Sequence, residues 1–280
     1  KGEVLGGFPI GPGVDWVGVV GDAGESTKFK AGDHVFVTGW GVGEQVSGGY
    51  AGFAKVKPEW AELIPEGLSA MHCMALGTAG FTAMLATLSL EDHKVLPDSG
   101  PVLVTGASGG VGSIAISILA KRQYKVVAST GRIEEQGDYL KSLGASEIIH
   151  REELSSPSGR PLDSERWAGA IDSVGGETLA SILRQTQYRG SVAACGLAGG
   201  ASLPSTVLPF ILRGVTRLGI DSVMCPSWLR KRAWSRMSED IDLKTLEQLI
   251  QVIPLDAVPD AAKQILAGKI RGRIVVDMNL

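Results

Sequence analysis

The spacing of apolar and polar positions changes near residue 100. Before it, short apolar runs end in glycine, proline or aspartate: "DWVGVVG" (15–21), "DHVFVTG" (33–39) and "GGYAGFAKVK" (48–57). Such runs predict β structure from residue 1 to about 65, closed as a small barrel or sandwich. "AMHCMALGTAGFTAMLATL", within 69–92, carries Ala, Leu and Met at helical spacing. It predicts two helices with a break near Gly77. Beyond residue 100, strand and helix alternate. "PVLVT" (101–105), "KVVAST" (125–130), "SEIIH" (146–150), "AGAIDSVG" (168–175), "GSVAACG" (190–196) and "VTRLGI" (215–220) read as strands. "VGSIAISILAKR" (111–122), "EEQGDYLKSLGA" (134–145) and "TLASILRQT" (178–186) read as helices between them. The first helix puts Val111, Ile114, Ala115, Ile118 and Leu119 on one side, and Gly144 stops the second. A connector at 151–166 is rich in Ser, Pro and charge. A helical stretch at 228–251, a helix at 256–267 and a strand at 273–278 close the chain. The alternation predicts an α/β fold, a doubly wound parallel sheet covered on both faces, with a smaller β domain beside it.

Composition narrows the function. A chain of 280 residues, 44% hydrophobic, predicts two domains with a sizeable core. Its 27 basic and 30 acidic residues leave a net charge of -3, which gives no footprint for nucleic acid. The 38 glycines are scattered, without a repeat period. Cys73, Cys195 and Cys225 lie far apart, so no disulfide framework is expected and a reducing compartment is. No apolar run reads as long enough to cross a bilayer, and no signal peptide opens the chain at Lys1. The expectation is a cytoplasmic protein.

One stretch carries candidate chemistry: "VTGASGGVGS" (104–113), with Gly106, Gly109 and Gly112 spaced by three and Gly110 among them. It follows a strand and opens a helix. A bare backbone lets phosphates approach amide N–H groups closely, and the positive helix end favours an anion. Ser108 adds a hydroxyl and a candidate cap. Within a strand–glycine–helix–strand unit, the string predicts a dinucleotide site; alone it also fits an ordinary tight turn.

The second strand selects the dinucleotide. It ends "STGR", Ser129 to Arg132, where NAD sites usually carry an acid for the ribose hydroxyl. A guanidinium there binds a 2′-phosphate with two hydrogen bonds. The reading is therefore NADPH, with Arg132 discriminating and Thr130 assisting. The alternative makes Arg132 a solvated residue at a helix start. Glu134 and Glu135 read as a favourable first helical turn. Two later tips, "DSVGG" with Asp172, Ser173, Val174 and Gly175, and "CGLAGG" with Cys195, Gly196 and Leu197, line the ribose and nicotinamide or are simple turns.

Metal chemistry is not expected. No CxxC occurs, and His34, His72, His93 and His150 form no ligand pair. His72 beside Cys73 reads as a helix pair without a ligand role. No P-loop GK[ST] is present, which argues against NTPase chemistry. "RKR" (230–232), near Trp228 and Trp234, either contacts a phosphate-bearing substrate or is a solvated helix face.

Taken together, "AGDHVFVTGWGVGE" (31–44), "GTAGFTAM" (77–84), "VTGASGGVGS", "WAGAIDSVGG" (167–176), "ACGLAGG" (194–200) and "LPFILRGVTRLGIDSV" (208–223) resemble the acryloyl-CoA reductase family. That is a zinc-free branch of the medium-chain dehydrogenase/reductases, near the quinone oxidoreductases. The resemblance implies a Rossmann NADPH-binding domain over 80–223 and a GroES-like catalytic domain from 1–79 and 224–280. It implies a homodimer and reduction of acryloyl-CoA to propanoyl-CoA. By motif match it places cofactor contacts at Ser108, Gly109, Gly110, Val111, Thr130, Gly131, Arg132, Ser173 and Arg217. Family members carry a further segment before the position of Lys1, with the first barrel strands and an Asn-Tyr pair near the nicotinamide. The resemblance thus implies a barrel lacking its N-terminal part and names no catalytic residue in this chain. The expected chemistry is hydride addition at the β-carbon of an enoyl thioester, in the crevice between the domains, with the charge on the thioester oxygen met by hydrogen-bond donors. The rivals are quinone or 2-alkenal reduction on the same scaffold, and a non-catalytic NADPH-binding protein.

Overall fold

The structure is a computed structural model that describes residues 9–155 and 159–280. The sequence expectations at 1–8 and 156–158 lie outside the described residues. In chain order come β1 (Asp15–Val19), β2 (His34–Thr38), β3 (Glu62–Leu63) and α1 (Ala70–Asp92). Next are β4 (Val102–Val104), α2 (Gly110–Lys121), β5 (Val126–Thr130), α3 (Ile133–Ser142) and β6 (Glu147–His150). Then follow β7 (Trp167–Asp172), α4 (Gly176–Gln185), β8 (Thr186–Ala194), α5 (Leu208–Arg213) and β9 (Thr216–Gly219). Last are α6 (Ser227–Asp240), α7 (Leu243–Gln248), β10 (Ile250–Pro254), α8 (Val258–Leu266) and β11 (Arg273–Asp277). Two compact units result: Lys1–Phe81 with Ser222–Glu239 and Leu246–Leu280, and Thr82–Asp221 with Asp240–Thr245.

The second unit holds a six-stranded parallel sheet in the order β6-β5-β4-β7-β8-β9. Strands buried on both faces need apolar side chains throughout, and β4, β5 and β7 are buried along their whole length. Leu103, Val127, Ala170 and Val192 from the sheet pack with Leu179, Ile182 and Leu183 of α4. Each such large aliphatic side chain contributes roughly 1.5–3 kcal/mol on burial. The chain builds β4, β5 and β6 outward to one side, then returns to lay β7 on the other side of β4. β8 starts at Thr186, four residues before the predicted strand, because a register shift opposite Trp167–Gly169 extends the pairing.

The first unit contains the antiparallel sheet β1-β2-β3 and a separate parallel pair, β10-β11. Two sequence expectations fail here. Residues 48–57 form no strand. The N–H groups of Gly48, Gly49 and Tyr50 donate to the carbonyls of Gly11, Gly13 and Pro12, a staggered set rather than a ladder. The bare glycine backbones press in so closely that a Cβ on Gly49 would lie 2.6 Å from Asp15 O. Similarly, the helical reading of 228–251 runs too far. Helix gives way after Gln248, and residues 250–254 pair in parallel with 273–277, burying Ile253 and Val275. Burial against a distant segment overrides local propensity there.

α1 is two helical segments joined across a kink at Gly77, as the sequence predicts; its φ of 49° and ψ of −156° lie outside the helical region and are open only to glycine. A Cβ there would lie 2.5 Å from Asp15 Oδ2. Against the sequence expectation, α1 is long and apolar enough to cross a membrane, with 23 residues and a mean hydropathy of 1.5. However, 78% of that window is buried inside the fold, as in a core helix.

Candidate functional site

At the C-terminal edge of the parallel sheet, chain order reverses between β4 and β7, the place where open α/β sheets bind ligands. Here the chain leaves β4 through Thr105 and enters α2. Gly106 has φ 58°, and a Cβ there would run into Ser173 Oγ. A Cβ on Gly112 would strike Gly106 O and lie 2.7 Å from Ala107 Cα. Gly109 is the N-cap, in extended backbone, with no side-chain cap bond. The expectation that Ser108 caps α2 is therefore corrected: its hydroxyl stands beside the corner, half-buried. The N–H groups of Gly110, Val111 and Gly112 head the helix, where no intrahelical acceptor exists and the helix dipole is positive. Bare backbone and outward donors together fit a diphosphate.

The tip of β5 lies next to this corner in the sheet. Thr130 is buried, and its Oγ1 accepts from Arg132 N at 3.2 Å. Gly131 and Arg132 are half-buried, and Glu134 and Glu135 open α3 on its exposed side. A second guanidinium, which the sequence reading missed, completes the tip. Thr130 pairs with His150 at the end of β6, so Arg151 arrives beside Gly131. A Cβ on Gly131 would lie 2.7 Å from Arg151 Nε and 3.0 Å from its Cζ. Glycine at 131 is what lets Arg151 lie across the tip. A basic residue immediately after the third strand was the available signal.

At β7, Asp172 is wholly buried and Ser173 Oγ donates to Thr105 O at 3.1 Å. Past β8, Cys195 Sγ lies 3.3 Å from Asp172 O, and burial, with Asp172 adding, pushes its thiol up to about 12. Leu197 beyond it is exposed. Thus Ser108, Gly109, Gly110, Val111 and Ser173 gather around one corner, with Thr130, Gly131 and Arg132 at the adjoining tip. Arg217 stands apart. It is exposed on the edge strand β9, separated from β4 by β7 and β8.

The first unit holds a polar cluster that pattern reading also missed. Asp15 accepts from Thr78 N at 2.9 Å and Thr78 Oγ1 at 2.5 Å. Arg273 Nε donates to Ala75 O at 2.6 Å. Burial raises the Asp15 carboxyl, while Thr78, Arg273 and Arg230 pull it back. Burial, then Asp15, raises the Tyr50 hydroxyl. Asp15, Tyr50 and Arg273 line a cavity of about 910 Å³ whose other walls are largely apolar, among them Val17, Phe29 and Val275. Neither alternative for "RKR" holds at Arg230, which is 2% exposed. Its guanidinium sits over Trp40 at 4.5 Å and Phe81 at 4.8 Å and donates to the carbonyls of Thr38, Ser222, Val223 and Cys225.

The strand order, the glycine corner and the accompanying β unit define the class: a medium-chain dehydrogenase/reductase. Residues 110–240 match the family profile described as "Zinc-binding dehydrogenase". The acrylyl-CoA reductase AcuI of Ruegeria pomeroyi is 52% identical over 272 residues, 97% of this chain and 82% of that protein. A quinone oxidoreductase from Sus scrofa is 36% identical over 150 residues, 53% of this chain and 43% of its own. The yhdH oxidoreductase from Salmonella enterica in complex with NADP superposes with a TM-score of 0.96 at 48% identity, covering 99% of this chain and 85% of that one. Bacillus subtilis yhfP with NAD bound gives 0.95 at 45% identity, covering 99% and 84%. This chain belongs to the acrylyl-CoA reductase family. Its second unit is the Rossmann part of the fold and its first the GroES-like part. Zinc, named in the profile's description, is not matched by the donors: among the described residues no three His, Cys, Asp or Glu side chains converge.

Proposed function

We propose that this chain reduces the carbon–carbon double bond of acryloyl-CoA to give propanoyl-CoA, with NADPH as reductant and without zinc. The observation that carries the cofactor choice is the β5 tip, which ends Thr130-Gly131-Arg132 with Arg151 laid against Gly131. Two guanidiniums and no carboxylate on the tip itself suit a 2′-phosphate. Family membership supports the substrate. Ser108, Gly109, Gly110 and Val111 hold the diphosphate; Thr130, Gly131 and Arg132, with Arg151, hold the 2′-phosphate; Ser173 lines the ribose side. Arg217, exposed on β9, is a further cofactor contact in this reading. When bound, NADPH supplies a hydride for the substrate β-carbon. In the first unit we single out Asp15, which accepts from Thr78 and shares its cavity wall with Tyr50 and Arg273. Arg273 beside it favours developing negative charge.

In this reading residues 1–79 and 224–280 are the catalytic domain and 80–223 the nucleotide domain of a cytoplasmic homodimer. The sheet supports self-association: β9 is an edge, and Ile211 and Leu212 of α5 are exposed. A second reading, quinone reduction, is favoured by the partial likeness to the pig enzyme. A substrate panel decides between them. Purified protein oxidises NADPH rapidly with acryloyl-CoA and slowly with quinones or 2-alkenals. The reverse order overturns the substrate, and tight NADPH binding without turnover on any of them overturns the enzyme.

A further inference from the structure

Asp172 presents a puzzle for packing alone. It is wholly buried at the end of β7, and among the described residues no cation pairs with it. A buried carboxylate costs several kcal/mol unless hydrogen bonds answer its lone pairs. They do. Oδ1 accepts from Thr105 Oγ1 at 2.6 Å and Val174 N at 3.3 Å, and Oδ2 accepts from Gly175 N at 2.8 Å. Its backbone carbonyl accepts from Cys195 N at 2.9 Å. One residue therefore joins the tips of β4, β7 and β8.

The bond to Thr105 has a particular consequence. Thr105 is the last residue before Gly106, where the chain turns toward the head of α2. Its hydroxyl donates to Asp172 and accepts from Ser173 N at 3.2 Å, and its carbonyl accepts from Ser173 Oγ. Four hydrogen bonds, counting that from Thr105 N to Ile171 O, fix the residue that launches the corner. Glycine makes that corner possible without choosing its direction. The strands themselves do not need the clamp, because backbone bonds already set the β4–β7 register.

We propose that Asp172 and Thr105 are positioning residues that aim the Gly106–Gly112 corner at the nucleotide diphosphate. The inference rests on the dinucleotide reading above. The test uses the full chain with Thr105→Val, which removes the hydroxyl at constant shape, and Thr105→Ser, which keeps it. NADPH affinity is read by nicotinamide fluorescence, kcat at saturating NADPH, and amide hydrogen exchange at residues 106–112 without nucleotide.

Thr105→Val weakens NADPH about tenfold, the loss expected for one hydrogen bond to a charged group, and leaves kcat within about twofold. It also speeds exchange in the corner, and Thr105→Ser restores both. Unchanged affinity and exchange in Thr105→Val overturns the proposal. So does an equal loss in Thr105→Ser, which marks a role in packing alone. If Thr105→Val does not fold, Asp172→Asn carries the same readouts, with the same direction expected and parent-like values overturning it. If the parent chain binds no NADPH, the dinucleotide reading fails, while the exchange data still decide whether the clamp aims the corner.

Discussion

Replacing Arg230 with methionine isolates a feature invisible in its sequence neighbourhood. Among the guanidinium's hydrogen bonds are five between 2.8 and 3.1 Å: Nε to Cys225 O, one terminal nitrogen to Thr38 O and Oγ1, the other to Ser222 O and Val223 O. It lies between Trp40 and Phe81, and beyond them Trp60 stacks on Trp40 and Trp234 on Phe81. Methionine retains much of the volume but withdraws donors from four backbone carbonyls. Val223 O keeps the bond from Trp40 N; each carbonyl that is left buried without a partner costs ~1–3 kcal/mol, and each lost cation–π contact ~1 kcal/mol. Relief from burying a cation offsets part of this, so a net loss of about 3–5 kcal/mol is expected. At 2–4 °C per kcal/mol that lowers Tm by roughly 10 °C. The readout is selective. Trp16, Trp40, Trp60, Trp228 and Trp234 belong to the first unit and only Trp167 to the second. Tryptophan fluorescence in a urea titration therefore reports the first unit, and its midpoint falls well below that of the parent. A fluorescence midpoint equivalent to a change of less than about 0.5 kcal/mol would refute the account of Arg230 as the centre of that stack. Arg230→Lys keeps the charge but loses the planar fork, and falls between the two.

Three further outcomes follow from the same geometry. Gly112→Ala forces a methyl against Gly106 O and Ala107, so the folded chain loses NADPH binding in a fluorescence titration, with a stability cost of about 1–3 kcal/mol. Arg151→Ala raises KM for NADPH about tenfold in steady-state kinetics and leaves KM for NADH unchanged, since only the former carries the 2′-phosphate. Burial holds the Cys73 and Cys195 thiols at about 12, against an ordinary 9.0. The unfolded chain gives up these protons first, so stability falls as pH rises from 9.0 toward about 12 and is indifferent to these thiols below that window. Urea midpoints measured across the window decline with pH, and Cys73→Ala makes the decline shallower.

The nucleotide corner was legible because its requirements are local. Gly106 needs a positive φ, and Gly112 must lack a side chain because of Gly106 and Ala107, reasons contained within about ten residues, and the neighbouring strand tip shows Arg132 directly. The six parallel strands were legible too, since burial on both faces leaves an unbroken apolar run. Arg151 was not, because its place beside Gly131 comes from the pairing of Thr130 with His150. The Asp172–Thr105 bond joins residues 67 apart, and Asp15 meets Thr78 across 63. No pattern of period 2 or 3.6 encodes such meetings.

By itself the sequence determined the alternation of strand and helix, the glycine turn that bares amide groups to an anion, and the absence of acid from the second strand tip. Those properties belong to backbone freedom and residue type at neighbouring positions. Only the tertiary structure decided that residues 250–254 are a strand, that Arg230 is a buried hub rather than a solvated or ligand-binding cation, that Arg151 lies against Gly131, and that Asp172 is bonded to Thr105. Each depends on which distant groups share a desolvated space, where an unmatched hydrogen bond or charge costs far more than any local preference.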